Sequence, residues 1–194
     1  MAQISWGKPV ILVAELGEDV TFKWIEAPTP AQDTTTMETT QGNKTEAKIE
    51  GGANEDVKTE ANTYALNYNI RKVKGRKKHI VDSDGSVSNN YALVLQPEDK
   101  TCTGILIQLS SVSVGDSYSA AEGIMYAYTH NVLAPTSGNQ VKYGLVNIVR
   151  TAEGAIQKVT FTPDEDDKQG FDGKTTYDIT STEKLLEANK ESKS

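Results

Sequence analysis

The 194-residue sequence contains few of the residues that form disulfides, metal sites or catalytic centres, with one cysteine and two histidines. Cys102 has no partner for an internal disulfide, so nothing in the sequence favours an oxidising compartment. Residues 1–9, MAQISWGKP, do not resemble a signal peptide, and no apolar run has the length that spans a bilayer. We therefore expect a protein that is made in the cytoplasm and has no membrane partner.

Sequence motifs for catalysis and metal binding are also lacking. His79 and His130 are far apart in the sequence, and neither forms a recognisable nucleophile–base motif with Cys102. The run DSDG at residues 82–85 begins like a calcium loop but lacks the later glycine and the final glutamate, so we interpret it as a polar turn. No glycine-rich phosphate-binding motif is present. The sequence predicts a protein that is not an enzyme and uses no cofactor or metal.

The net charge of the chain is -7, with an isoelectric point near 4.9. The field of such an acidic protein repels phosphate, so we do not expect it to hold nucleic acid through its backbone.

The sequence is rich in patterns that form strands. It contains 21 threonines, and residues 62–70, NTYALNYNI, alternate between apolar and polar side chains as a half-buried strand does. Similar short runs predict strands at 10–16, 20–25, 91–96, 103–109, 123–132, 140–149 and 156–161. This spacing is typical of an all-β sandwich or barrel.

Helix signals are limited to two short segments. Residues 115–123 could form one or two turns, and residues 180–190 begin with a capping box made by Thr180 and Glu183. The acidic, glycine-containing run at 163–174 is typical of a boundary. We therefore predict a β-sandwich domain over 1–162, followed by an acidic linker and a short C-terminal helix or extension over 163–194.

The run TTTMETTQGNKTEAKIEGG, residues 34–52, predicts a polar ribbon. If Gly42-Asn43 forms a two-residue turn, Gln41 faces Lys44. One face of this ribbon would then present Thr35, Met37, Thr39, Gln41, Lys44, Glu46, Lys48 and Glu50. The alternative is a helix capped by Asn43, which would place like charges four residues apart. A hairpin with so little to bury needs support from outside the subunit.

The run RKVKGRKK contains six cations and no acid: Arg71, Lys72, Lys74, Arg76, Lys77 and Lys78. Three interpretations are open: a solvated loop, a contact with an acidic surface of an adjacent subunit, or a DNA contact.

The pattern across residues 1 to about 162 resembles the tail tube proteins of tailed bacteriophages. It includes the runs APTPAQDTTTMETTQGNKTEAKIEGGANEDV, YALVLQPED and SGNQVKYG. The resemblance implies a virion structural protein whose subunits form hexameric rings that stack into the tail tube, the conduit for DNA ejection. It further implies that the ribbon lines the channel, that the basic loop contacts the next ring, and that other tail proteins are partners.

Two other functions remain open from the sequence. An immunoglobulin-like binding or adhesion module would show the same strand periodicity, although a surface adhesin is expected to carry an export signal. Another virion part, such as a decoration or tail terminator protein, fits the sequence equally well. The resemblance also covers contractile tails and type VI secretion tubes.

Overall fold

The computed structural model describes residues 7–17, 23–52, 54–135, 138–165, 176–181 and 185. Strands make up 55% of it and helix 1%, so the predicted all-β fold class is confirmed. The described chain forms twelve strands. They are β1 (Val10–Leu16), β2 (Ile25–Glu26), β3 (Thr36–Thr40), β4 (Lys44–Lys48), β5 (Asn54–Thr59), β6 (Thr63–Arg71), β7 (Asn90–Gln96), β8 (Gly104–Ser119), β9 (Gly123–Val132), β10 (Lys142–Arg150), β11 (Ile156–Pro163) and β12 (Tyr177–Asp178).

Ten of these strands form one antiparallel sheet that strand β8 divides into two layers. The first layer has the order β12-β11-β10-β8-β7-β1-β2, in which β10 pairs with residues 104–106 of β8. The second layer contains β3, β6 and β9, with β9 paired to residues 110–119 of β8. One 16-residue strand therefore belongs to both layers and joins them.

The main hydrophobic core lies between the two layers. The first layer contributes alternate residues of β1, β7 and β8, and the second contributes alternate residues of β6 and β9, as their period of two predicts. These side chains include Ile11, Val13, Leu93, Ile107, Leu66, Tyr68, Ile70 and Tyr128. The alternation seen in residues 62–70 thus identifies the core face of β6.

A second core covers the other face of β1 and β7. Leu12, Ala14, Ala92 and Val94 point into it and meet Phe161 of β11. Because β1 and β7 are buried on both faces, they read as continuous apolar runs instead of alternating ones. An ion pair of 2.8 Å between Arg150 and Glu26 ties the end of β10 to β2.

The described part of the C-terminal stretch packs on this second core. Strand β12 pairs with β11, and Tyr177, Ile179 and Leu185 are buried there. Trp24 donates its indole N–H to the Ile179 carbonyl at 2.7 Å. The predicted acidic linker is described only as far as residue 165. Burial of these apolar side chains attaches residues 176–181 and 185 to the β-sandwich.

The helix predicted at residues 115–123 is wrong. These residues form the end of β8 and the turn into β9, with Asp116 opposite Tyr126 and Ser119 opposite Gly123. Hydrogen bonds in the ladder with β9 satisfy backbone donors and acceptors that would need a cap at the end of a helix. In the helix predicted at 180–190, the amide of Leu185 donates to the Ser181 carbonyl at 2.9 Å. Glu183 and residues 186–190 lie outside the described residues.

A polar network crosses the main core. The Tyr68 hydroxyl lies 2.8 Å from Nε2 of His79 and 3.3 Å from Nε2 of His130. Nδ1 of His130 lies 3.0 Å from the Ser110 hydroxyl, which donates to the Tyr91 carbonyl at 2.8 Å. Burial lowers the pKa of His79 to about 4, and burial together with the nearby His79 lowers the pKa of His130 to about 3. Both imidazoles are therefore neutral at pH 7.

We expect the protein to lose stability as the pH falls below about 6.5, the ordinary histidine pKa. The unfolded chain then binds protons on both histidines, whereas the folded chain does not until the pH nears about 4 for His79 and about 3 for His130. Each of the two histidines should lower the free energy of unfolding by up to about 1.4 kcal/mol per pH unit in this range. Urea unfolding at about pH 7.5 and about pH 5.5, where carboxylates stay ionised, measures the loss. A His130→Gln variant keeps polar atoms beside Tyr68 and should show a smaller loss; equal losses would contradict the assignment.

Candidate assembly surfaces

The ribbon at residues 34–52 does form strands, but its predicted pairing is wrong. Strand β3 pairs with β6, where Thr40 lies opposite Thr63, and β4 pairs with β5, where Lys44 lies opposite Thr59. From the first of these pairs to the second, one side of the ribbon moves four residues forward, from 40 to 44. The other side moves four residues back, from 63 to 59, so the register is continuous. The chain passes through Gly42-Asn43 without reversing and reverses instead between β4 and β5.

The glycine in the predicted turn has a different role. A Cβ on Gly42 would lie 2.0 Å from the carbonyl oxygen of Glu60 on the opposite strand. The Gly42 amide donates to Oδ1 of Asn62 at 3.1 Å, and the Glu60 amide donates to the Asn43 carbonyl at 2.9 Å. Gly42 therefore permits a close approach of two backbones. The reversal uses Gly51 and Gly52, whose φ angles are +103° and +87°.

Strands β4 and β5 with their connection, residues 44–59, form a projection that we call the arm. All five residues of β4 are exposed, as are residues 55–59 of β5. Five strand residues span about 17 Å. A two-stranded ribbon with no core of its own is marginal in water. The arm is a surface that another molecule can stabilise.

The structure does not bring the eight predicted channel-lining residues onto one face. Lys44, Glu46 and Lys48 do share a face of the arm, where Glu46 lies 2.7 Å from Lys44 and 3.9 Å from Lys48. Their face includes Val57 and Thr59 of β5, not residues of β3. Met37 packs against the main core, and Thr39 shares its side of β3. Thr35 precedes β3, Gln41 lies at the base of the arm and Glu50 at its tip.

Strand β3 leaves one edge of the second layer open. Among the described residues, β3 pairs only with β6, and each strand of the arm pairs only with the other. The free backbone groups of residues 36–40 and 44–48 can therefore accept an added strand.

The outward face of the second layer carries mostly short, uncharged side chains. Cross-strand neighbours on it come from β3, β6, β9 and β8. They are Thr36, Glu38, Ala65, Asn67, Asn69, Ala127, Thr129, Asn131, Ser111, Ser113, Gly115 and Ser117. These twelve positions present one carboxylate and no cation. At the end of β6, Arg71 lies on the same face, opposite Met125, and pairs with Glu122. In the sequence, the polar positions of residues 62–70 were the signal of this face, but their period alone does not show which strands lie beside them.

The basic loop, residues 71–78, is partly bound within the subunit. Arg71 pairs with Glu122, and Lys78 lies 2.7 Å from Asp82 and 3.2 Å from Asp116. Lys78 also lies 4.4 Å from the centroid of the Tyr126 ring. Arg71 and Lys78 therefore already have charge partners within the subunit.

The other four cations of this loop are exposed. Lys72 lies 5.8 Å from the centroid of the Tyr126 ring, and the Arg76 guanidinium donates to the Arg71 carbonyl at 3.5 Å. Beside them, the turn between β8 and β9 exposes 75% of Tyr118 and 40% of Ile124. The Lys72 amide donates to the Ile124 carbonyl at 2.9 Å, which holds the two segments together. We call this combined surface the basic pole.

The arm and the basic pole lie at opposite ends of strand β6. The strand begins at Thr63 beside the base of the arm and ends at Arg71, and nine strand residues span about 30 Å. Residues 49–56 at the tip of the arm contain Glu50, Glu55 and Asp56 and no cation. The tip of the arm is thus acidic, and the basic pole lies at the other end of β6.

The described residues were also compared with the requirements of a metal site and of a membrane-spanning helix. Within these ranges, no three His, Cys, Asp or Glu side chains lie together so as to hold a metal ion. None of the helices that these residues form is long and apolar enough to span a bilayer. Comparison of the sequence with protein-family models and with curated proteins found no match.

Replacing Gly42 by alanine tests the continuity of the ribbon. The added Cβ would force the strands apart at Glu60, so we expect a loss of about 1–3 kcal/mol in the free energy of unfolding. Amide exchange at residues 43–60 should become faster. Gly115→Ala is a matched control, because its nearest neighbour, the Ala127 Cβ, would lie 3.8 Å away. Equal stability of the two variants would contradict the close approach.

Proposed function

We propose that this protein is a virion structural protein, the subunit of a phage tail tube, which forms hexameric rings that stack into the conduit for DNA ejection. The observation that carries the proposal is the ribbon of β3 and the arm. It leaves an open sheet edge and an exposed projection on the subunit. Both features need a neighbour.

Lateral association would use the open edge of the second layer. A strand from the neighbouring subunit adds to β3, and repetition around a ring closes the second layers into one barrel. A closed barrel has no edges, which removes the risk of uncontrolled strand pairing. The isolated subunit would then be soluble only because its edge strand is short and polar.

The channel surface in this arrangement is the outward face of the second layer. Its side chains from Thr36 to Ser117 are short, and Glu38 is the one charged group among them. The cation at the end of this face, Arg71, is paired with Glu122, so the surface offers a phosphate no unpaired cation and a duplex can move along it without specific binding. This face replaces the predicted ribbon face as the channel lining.

Stacking of rings would use the opposite charges at the ends of β6. The acidic tip of the arm in one ring meets the basic pole of the next, which carries Lys74, Arg76 and Lys77 and exposes Tyr118. A head-to-tail contact of this kind repeats without closing, so it builds a filament.

Amide exchange in the monomer and in the assembly tests the lateral contact. In the monomer, the backbone amides of residues 36–40 that point away from β6 should exchange quickly. In the assembly, ladder hydrogen bonds should strongly protect the same amides. Negative-stain electron microscopy of the same samples should show rings or tubes. Monomers at every concentration, or equal exchange in both states, would contradict the proposal.

Charge reversal tests the stacking contact. The triple change of Glu50, Glu55 and Asp56 to lysine should prevent tubes but leave folded rings, as should Lys74, Arg76 and Lys77 changed to glutamate. Combining all six changes in one chain restores complementarity and should restore tubes. Sedimentation measures the assembly, and stacking should weaken as salt shortens the screening length from about 8 Å.

A matched control for the stacking test changes Lys23, Lys100 and Lys158 to glutamate, which alters the net charge equally at other exposed sites. We expect this control to form tubes. If all the reversed chains stack as the parent does, the arm and the basic pole have no part in assembly.

A further inference from the structure

The second layer has a second open edge, on the side away from β3. Residues 115–119 of β8 pair with β9, and no other described strand pairs with them. Just before them, the Val114 amide donates to the Gly85 carbonyl at 3.0 Å, so the covered part of this edge ends there. The layer runs β3-β6-β9-β8, and each of its pairs is antiparallel. Because β8 runs opposite to β3, these two edges of rotated copies in a ring meet antiparallel.

The free backbone groups of β3 belong to alternate residues. The Asn69 carbonyl of β6 accepts a hydrogen bond from the Ala31 amide at 2.8 Å, so it points toward the side of β3. Backbone direction alternates along a strand, so the odd residues of β6 face β3 and their partners, the even residues of β3, face β6. The groups of Met37 and Thr39 are therefore free.

The open edge of β8 has free groups at matching positions. The Val114 amide points away from β9, so the groups of Asp116 and Tyr118 do so as well. When the two five-residue edges align antiparallel along their whole length, Met37 falls opposite Tyr118 and Thr39 opposite Asp116. Residues with free groups thus meet each other as hydrogen-bonded pairs.

The offset between the two edges matches the tilt of strands in a barrel. Within one subunit, the ladders place Thr36 level with Ser113 of β8. In the alignment above, Thr36 lies opposite Ser119 of the neighbouring subunit. The shift from 113 to 119 is six residues, about 20 Å, over four strands that are about 19 Å wide. This ratio corresponds to a tilt of about 45°, and barrel strands typically tilt by about 35–45°.

The same alignment brings an exposed aromatic ring to an apolar groove. This groove of about 760 Å³ opens between the two layers beside β3, and its floor contains Met37, Leu66, Leu95 and Ile105. Tyr118 is 75% exposed in its own subunit. It lies on the same side of β8 as the core residue Val114, so in the alignment its ring points to the groove side of β3.

We propose that residues 115–119 of one subunit pair with residues 36–40 of the next, and that Tyr118 then packs on Met37 and covers the groove. The Cβ atoms of directly opposite residues lie about 5 Å apart, so the ring and the thioether are in contact. This inference rests on the proposed function, because it names the strand that makes the lateral contact. It leaves the cations of the basic pole to the stacking contact.

Disulfide cross-linking tests the alignment. Glu38 and Ser117 form a non-hydrogen-bonded pair in it, with Cα atoms about 4.5 Å apart, which a disulfide can bridge. In a Cys102→Ser chain, which has no native cysteine, Glu38→Cys with Ser117→Cys should give covalent oligomers up to the hexamer on oxidation. The matched control, Glu38→Cys with Ser113→Cys, lies four residues out of register and should give no such series.

Substitution of the tyrosine tests the groove contact. Tyr118→Ser should raise the concentration at which half of the subunits assemble by about tenfold or more, because it removes a buried aromatic anchor. Tyr118→Phe keeps the ring and should assemble as the parent does. Val81→Ser changes a side chain that is 78% exposed and should have no effect. Sedimentation measures assembly, and far-ultraviolet circular dichroism checks that each variant is folded.

Electron microscopy of the same samples separates this inference from the proposed function. Rings without the 38–117 link mean that another segment pairs with β3, and they overturn the inference alone. Monomers of the parent at every concentration overturn the proposed function and the inference with it. If Tyr118→Ser forms rings as readily as the parent, the tyrosine does not cover the groove.

Discussion

The two-layer structure depends on the pairing of strand β8 along its whole length. Its first residues pair with β7 and β10 inside the first layer, and residues 110–119 pair with β9 in the second. A buried strand must satisfy its backbone donors and acceptors, so both layers are held to the same 16 residues. The main core forms where the layers face each other, and β1 and β7 become buried on both faces once the second core is added.

The same requirement for backbone pairing explains which parts of the surface need a partner. Inside the sandwich, ladders on both sides of β6 and β9 satisfy their hydrogen bonds. At β3 and in the arm, one side of every described strand is open. The proposed ring closes these edges, and the proposed stacking contact uses charges that the fold holds about 30 Å apart at the two ends of β6. Arg71 and Lys78 have charge partners inside the subunit, so the proposed contact is assigned to Lys74, Arg76 and Lys77.

Polar groups within the core restrict the conditions under which the fold is stable. Tyr68, His79, His130 and Ser110 form a hydrogen-bonded chain through an otherwise apolar layer. Buried imidazoles that accept and donate hydrogen bonds must stay neutral, because their charged form would lose its hydration. The network thus specifies how β6, β8 and β9 align, at the cost of sensitivity to acid.

The sequence by itself determined the strands, the all-β class and the cluster of cations, because alternation and charge are local properties of the chain. It could not determine which strands pair with each other. Gly42-Asn43 has the composition of a turn, but the long-range pairing of β3 with β6 overrode that local preference and used Gly42 for a close backbone approach. In the same way, pairing with β9 makes residues 115–119 part of a ladder instead of the predicted helix. Only the tertiary structure could place Tyr118 beside the basic loop and the acidic tip of the arm at the opposite end of β6, because both positions depend on which strands pair.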